Sequence, residues 1–257
     1  MIISARIGAA MAAMMAVVAM TGSVHADEAF AKERLKAMSD YLAQEKAFSL
    51  DHDASLDLVT PDDQKVTLAS SGSVTLNRPD KLRATRANGF TNVELVFDGK
   101  TASILGKDAN VYMQKEAPGT IDQLIDALRE KVHLPLPAAD LLSADSYAAL
   151  MDGVTDVKDL GAGVIGGKEC DHFAFRAPDV DWQIWIAQGD KPYPCRYSIT
   201  TKGLAAAPQY TIDVRGWRTG GEVASNDFTF TVPAGATMLT PEKAAELGDI
   251  PSNFTPK

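Results

Sequence analysis

Two cysteines and two histidines with acidic neighbours are the residues that could do chemistry in this sequence. Cys170 stands two places before His172 in the stretch "CDHFAF", and Asp171 lies between them. A Cys-x-His pair supplies only two ligands, whereas zinc sites in proteins use three or four. Adjacent side chains on a strand point to opposite faces, so Asp171 cannot orient His172 for acid–base catalysis. This stretch therefore predicts neither a metal site nor a catalytic site.

The remaining motifs also argue against catalysis. Asp51 and Asp53 flank His52, and strand alternation puts both carboxylates on the face opposite the imidazole, as on a solvated edge. The stretch "GAGVIGG" from Gly161 lacks the glycine spacing and following helix of a dinucleotide loop, so we predict a flexible turn before Glu169. The sequence contains no G-x-S-x-G, H-E-x-x-H or P-loop motif. We predict a protein that is not an enzyme and needs no cofactor.

The first 26 residues have the pattern of a secretory signal peptide. Arg6 precedes an apolar run over residues 7–20, and Val24-His25-Ala26 is a small-x-small cleavage site. The run is shorter than the roughly 20 residues of a spanning helix. We predict cleavage after Ala26 and export to the periplasm as one domain, residues 27–257.

The charge of the chain after residue 26 excludes one class of partner. It keeps 24 basic and 34 acidic residues, a formal charge near −10. Nucleic-acid binding needs clustered Lys and Arg, so we expect no nucleic-acid partner. No linker or internal repeat divides the chain, and a monomer is favoured.

The hydrophobic periodicity predicts a helix, then strands, then helices, then strands. Residues 27–44 repeat at helical spacing, and a second helix begins after the N-cap Thr120 and ends before the proline-rich residues 133–137. Two short helical pieces cover 139–142 and 147–151, and a last one begins at Pro241. Strands are predicted at residues 48–58, 66–76, 82–86, 93–97, 101–105, 110–114, 169–177, 181–188, 193–202, 209–217 and 227–231. This order predicts one curved antiparallel sheet with a helical insert on one face.

Three motifs resemble the outer-membrane lipoprotein carrier family LolA. They are "LNRPDKLRATR" from Leu76, "LVFDGKTASILGKDANVY" from Leu95 and "FTFTVPAGATM" from Phe228. The C-terminal stretches "CDHFAF", "DVDWQIWI" and "KPYPCRYSIT" are similar to a family of predicted periplasmic proteins of unknown function that shares this fold. The resemblance implies an α+β fold in which an unclosed, half-open β-barrel is covered by a helical lid over an apolar cavity. It also implies that Arg78, the arginine of the "RP" motif, holds the lid to the barrel.

The aromatic stretch from Asp181 to Ile199 predicts the wall of such a cavity. Simple hairpin pairing puts Ala174 opposite Ile184, and Ile184 opposite Tyr197. One face then carries Cys170, His172 and Ala174 with the predicted cavity residues Trp182, Ile184, Ile186, Tyr197 and Ile199. The other face carries Phe173, Phe175 and Trp185. The lid would contribute Leu124, Ile125 and Leu128. Ordinary core packing of the tryptophans is the alternative interpretation.

The two cysteines of an exported chain favour a disulfide between Cys170 and Cys195. The predicted register raises an objection, because one strand lies between them. Two strand spacings span roughly 9–10 Å, whereas bonded cysteines have Cα atoms within about 7 Å. A bulge or strong curvature would be needed to close this gap.

Two functional hypotheses remain open. The first is a carrier or binding protein for a lipid, an acyl chain or another amphiphile. The second is a regulatory module in which the half-barrel binds an envelope protein. An open apolar cavity would favour the first, whereas a self-filled cavity with an exposed apolar patch would favour the second.

Overall fold

The computed structural model describes residues 24–131 and 136–240, and in this part of the chain twelve strands form one sheet. The strands are β1 (Ala47–Val59), β2 (Lys65–Asn77), β3 (Lys81–Ala87), β4 (Asn92–Phe97), β5 (Thr101–Gly106), β6 (Val111–Glu116), β7 (Asp156–Ile165), β8 (Lys168–Arg176), β9 (Val180–Ala187), β10 (Pro194–Thr201), β11 (Gln209–Thr219) and β12 (Thr237–Met238). The helices are α1 (Val24–Gln44), α2 (Ile121–Lys131), α3 (Ser146–Met151) and α4 (Gly221–Ala224), with a 3-10 helix at Ala139–Leu142.

The sheet is antiparallel except at one end, and it is not closed. Its order is β12-β6-β5-β4-β3-β2-β1-β11-β10-β9-β8-β7, and only the β12–β6 pair is parallel. The first and last strands in this order do not pair with each other in the described residues. The predicted class, an unclosed antiparallel sheet with helices on one face, is confirmed.

Helix α1 covers the half of the sheet that contains β7 to β10. Its buried residues Ala31, Leu35, Met38 and Leu42 follow each other at helical spacing and are at most 1% exposed. They pack against Phe173, Ile184 and Tyr197 and others in a cluster that we call the first core. Within the described residues, no helix has the length and apolar character that a membrane crossing requires.

Helix α2 covers the other half of the sheet. Its N-terminus is fixed by Thr120 and Gln123, whose side chains each accept a hydrogen bond from the other residue's backbone N–H, at 3.3 and 2.9 Å respectively. This confirms the predicted N-cap. Ile121, Leu124, Ile125 and Leu128 then pack with Phe48, Leu82 and Phe97 and others in the second core.

Four predicted segments differ from the structure or lie partly or wholly outside its described part. Only the end of the glycine-rich stretch from Gly161 is the predicted turn: residues 161–165 belong to β7, and Gly166 and Gly167 form the turn before β8. The strand is interrupted between Asp159 and Ala162, where Gly161 has a φ of +81° that a side chain would oppose. No strand forms at residues 227–231. The helix predicted from Pro241 lies outside the described residues, as does the signal peptide up to residue 23.

Candidate functional site

The predicted cavity residues other than Ile199 lie in the two cores, between the inner face of the sheet and the helices. Trp182, Ile184, Ile186 and Tyr197 are at most 4% exposed in the first core. Leu124, Ile125 and Leu128 of α2 are buried in the second core. The side chains of the chain itself thus fill the space between the sheet and the helices. A ligand reaches this face only where the cover ends or moves.

The inner face differs from its predicted composition by one position in β8. Phe173, and not Ala174, lies opposite Ile184, and Phe175 lies opposite Trp182. The hairpin turn holds four residues, 177–180, because Ala177 N–H donates to the Val180 carbonyl, and a shift by one residue reverses which face each side chain occupies. Phe173 and Phe175 therefore face the first core. The predicted pairing of Ile184 with Tyr197 is confirmed.

The cysteines lie on the outer face, and the predicted disulfide is wrong. Cys170 and Cys195 are both buried free thiols in a small cluster with Ala187. Strand β9 separates β8 from β10, but the two side chains meet in this cluster, where the thiols share a hydrogen bond and no covalent bond joins the sulfurs. Burial raises the pKa of both thiols, so neither is an activated thiolate.

Arg78 connects the sheet to the segment that follows α2. It lies just after β2, and its guanidinium donates to the carbonyls of Leu142 at 2.9 Å and Ser143 at 3.3 Å. It also lies 5.9 Å from the centre of the Phe48 ring. Burial lowers the pKa of Arg78, while the Asp122 carboxylate raises it. That Arg78 controls the opening of this segment stays a prediction.

Helix α2 and the 3-10 helix are joined to each other by polar contacts, and together we call them the lid. Arg129 pairs with Asp140 at 2.9 Å and donates to the Leu136 carbonyl at 3.3 Å. Asp122 accepts a hydrogen bond from the Ala144 N–H at 3.0 Å. The lid is thus braced internally, and it is attached to the sheet through apolar packing, Arg78 and the 2.9 Å hydrogen bond that the Ile121 N–H donates to the Pro79 carbonyl.

The apolar inner face continues past the cores to one end of the sheet. We call this end the open strip. The register pairs Leu56 with both Leu68 and Tyr210, Leu58 with Val66, and Tyr210 with Ile199. Each of these six side chains is only partly buried. Of the predicted cavity residues, only Ile199 lies in the strip.

The structure also contains a separate cleft that sequence reasoning missed. It has a volume of about 800 Å³ and lies where β11 ends, against the β9–β10 loop and α4. Tyr193 and Trp217 form its aromatic wall, with ring planes 1° apart and centroids 5.1 Å apart. The polar residues around it include Lys168, Gln188, Asp190, Lys191, Glu222 and Asn226. These residues come from distant segments, so no sequence motif marks the cleft.

The histidines are held as structural groups. His172 stacks on Trp185 with centroids 3.9 Å apart and shares a 2.9 Å hydrogen bond with Gln183. Burial lowers the pKa of His172 and of His52, and the Arg86 charge lowers that of His52 further. His52 is buried on the inner face, while Asp51 and Asp53 lie half-exposed on the opposite face, as predicted, and pair with Arg218 and Arg215. No group of three or more potential metal ligands occurs in residues 24–131 and 136–240.

A protein-family model described as "Predicted periplasmic protein (DUF2092)" matches residues 31–240. The chain belongs to this family. The match begins in α1 and ends just after β12. It therefore includes both cores, the lid and the cleft beside Tyr193 and Trp217, which we call the polar cleft. Cleavage after Ala26 stays a prediction. Comparison with curated protein sequences found no significant match.

Solved structures of low similarity have a related architecture. LprF from Mycobacterium bovis is 11% identical with a TM-score of 0.42, covering 81% of this chain and 98% of its own. The lipoprotein LppX from Mycobacterium tuberculosis is 14% identical with a TM-score of 0.37, covering 74% and 96%. The Pseudomonas aeruginosa MucA/MucB complex matches at 14% identity and a TM-score of 0.41, covering 75% and 58%. These values are too low to carry an argument about function.

Proposed function

We propose that this protein is a non-catalytic periplasmic carrier that binds the apolar chain of a lipid or another amphiphile against the inner face of its sheet. The open strip supports this proposal most directly. It is a mainly apolar surface, with Arg86 beside Leu56, Leu68 and Tyr210, that the described residues leave partly exposed, and its residues Ile199 and Tyr210 pack against the first core. Membership of a predicted periplasmic family agrees with a location beside the membrane lipids.

The energetics of burial favour an acyl chain as the ligand. Each CH₂ removed from water contributes about 0.8 kcal/mol, so a few carbons lying on Leu56, Leu58 and Leu68 supply useful affinity. A longer chain requires space that the cores now fill, so the lid must move away from the sheet. The internal contacts of Arg129 would let the lid move as one body once Arg78 releases the carbonyls of Leu142 and Ser143.

Native mass spectrometry of protein purified from the periplasm without detergent tests the proposal. We expect a bound species of lipid mass that denaturing extraction releases. Leu56→Asp places a charge in the open strip and should abolish this species in a folded protein. Val164→Asp is the matched control, because Val164 is 66% exposed on the edge strand β7. A clean apo mass that persists after incubation with fatty acids and phospholipids would contradict the carrier function.

A second candidate function is binding of an envelope protein at β7. This strand is the last of the sheet, and Leu160 and Val164 on it are 46% and 66% exposed. A free strand edge can pair with an extended segment of another chain. A photo-crosslinker at position 164 should then capture a defined periplasmic partner, while the same crosslinker at position 56 should not. Equal capture at both positions would argue against an interface at β7.

A further inference from the structure

The polar cleft has no part in the proposed carrier function. Its lining comes from β11, the β9–β10 loop and α4, outside the lid and the open strip. The β10–β11 pairing ends at Arg196 and Asp213, and beyond this point β11 continues to Thr219 without β10 beside it. The cleft lies at this divergence of the two strands. The cleft therefore results from the separation of β10 and β11.

The aromatic wall of the cleft is rigid. Trp217 is stacked on Phe48 at 4.7 Å and on Tyr193 at 5.1 Å, and its indole N–H donates to the Tyr41 hydroxyl at 3.1 Å. The Lys168 ammonium lies 5.0 Å from the centre of the Tyr193 ring. Because these contacts fix the rings before a ligand arrives, little conformational entropy is lost on binding.

The charges around the cleft are balanced. Arg218 already contacts Asp51 at 3.3 Å and Ser49 at 3.1 Å, so its charge is compensated within the chain. The remaining charged groups of the lining are two ammonium groups, Lys168 and Lys191, and two carboxylates, Asp190 and Glu222. An anionic ligand would meet the carboxylates and a cationic ligand would meet the lysines. This balance favours a neutral ligand.

The hydrogen-bonding groups of the cleft favour hydroxyl groups on that ligand. The Gln188 side-chain amide donates a hydrogen bond to Asp171, and the Asn226 side-chain amide donates one to the Val223 carbonyl. Both side-chain amide oxygens remain as acceptors. The lysines are donors and the carboxylates are acceptors, and a hydroxyl group can pair with either kind. The volume of about 800 Å³ lies in the range of small-molecule sites, but the polar lining excludes a mainly apolar ligand.

We infer that the polar cleft is a binding site for a neutral sugar, with the hydroxyl groups on Asp190, Glu222 and the amide oxygens and the C–H groups against the face of Tyr193 that Lys168 now covers. The site accommodates a short oligosaccharide. It is independent of lipid binding on the inner face, so either activity can be present without the other.

A glycan array probed with the protein that follows residue 26, then calorimetry with the best neutral oligosaccharide, tests this site. The double variant Asp190→Ala/Glu222→Ala removes two exposed carboxylates from the cleft. We expect it to weaken binding about tenfold or more, since a hydrogen bond to a charged group contributes about 1.5–3 kcal/mol. The control Asp126→Ala/Glu130→Ala removes two exposed carboxylates from α2 and should leave the affinity unchanged.

Three outcomes would overturn the inference. The first is the absence of saturable binding to any neutral glycan. The second is binding that both double variants weaken equally or that neither variant changes. The third is binding restricted to charged glycans or peptides with a steep dependence on salt, which would contradict a neutral ligand.

Discussion

The two halves of the inner face are covered in different ways. Over β7 to β10, the 21-residue helix α1 is fixed by apolar packing and by the Arg34–Asp171 ion pair at 2.7 Å, in which both side chains are mostly buried. Over β1 to β5, the 11-residue helix α2 is followed by short segments, and Arg78 provides a polar connection to the sheet. We therefore expect the half under α2, and not the half under α1, to open.

This difference identifies which part of the predicted cavity can receive a ligand. Phe30 of α1 meets Phe173 of β8 edge to face, with ring centroids 5.9 Å apart. Separating these rings would lose aromatic packing as well as apolar burial. Lifting the lid exposes the aliphatic side chains of Leu124, Ile125 and Leu128 and, on the sheet, the rings of Phe48 and Phe97. We therefore expect ligand-induced change over β1 to β5 and little change under α1.

The same substitution in the two halves should have different effects. Ile184 is fully buried in the first core, so Ile184→Asp should destabilise the fold by at least about 4 kcal/mol. Leu124→Asp should cost less, because the lid can lift away and return the carboxylate to water at the cost of local opening only. Urea unfolding followed by circular dichroism measures both, with the exposed Ala162→Asp as a control that should stay within about 0.5 kcal/mol. Equal losses at Ile184 and Leu124 would remove the distinction between the halves.

Removing the Arg78 side chain should loosen the lid alone. Arg78→Leu loses two hydrogen bonds from a charged donor, and we expect a cost of about 1–3 kcal/mol to lid closure. Hydrogen exchange in α2 and the 3-10 helix should then rise about tenfold or more, while exchange in α1 stays constant. Arg176→Leu is the matched control, since Arg176 pairs with Asp181 at the surface of the other half. Unchanged exchange in the lid would contradict the role of Arg78.

The sequence predicted the elements well because their patterns are local. Alternation over residues 48–58 became β1, and the spacing of Leu124 and Leu128 became the buried side of α2. The failures depend on geometry that a pattern does not encode. One additional turn residue moved Phe173 to the inner face, and the divergence of β10 from β11 brought Tyr193 to Trp217. Residues 161–165 were predicted as a turn and not as part of β7, because a glycine-rich bulged edge strand has the same composition as a turn.

Acidification should lower the free energy of unfolding through His52, which lies where the two halves of the inner face meet. Burial lowers the folded-state pKa of His52, which lies on the inner face between Leu50 of the second core and Ala54 of the first. Asp51 and Asp53 oppose this shift, and Arg86 adds to it. Below about pH 6.5, His52 therefore binds a proton more readily in the unfolded chain than in the folded chain. The free energy of unfolding is highest above that pH and falls below it.

His52 and His172 should contribute differently to this pH dependence of stability. His52→Gln should flatten the loss of stability between neutral and mildly acidic pH, as measured by urea midpoints. His172→Gln should flatten it less, because His172 is only partly buried and keeps its hydrogen bond to Gln183. A larger effect at His172 would show that acid sensitivity belongs to the outer face of the α1 half.

The smallest expected effect concerns the two cysteines. Since Cys170 and Cys195 are free thiols on separated strands, dithiothreitol should leave the free energy of unfolding unchanged. A thiol reagent should label neither cysteine in the folded protein, because burial raises both pKa values, and should label both after denaturation without reductant. A shift in the unfolding midpoint with dithiothreitol would mean that the α1 half is held by a covalent bond. The contrast between a core fixed by packing and a lid held by Arg78 would then need revision, because the stability of the α1 half would no longer come from α1 alone.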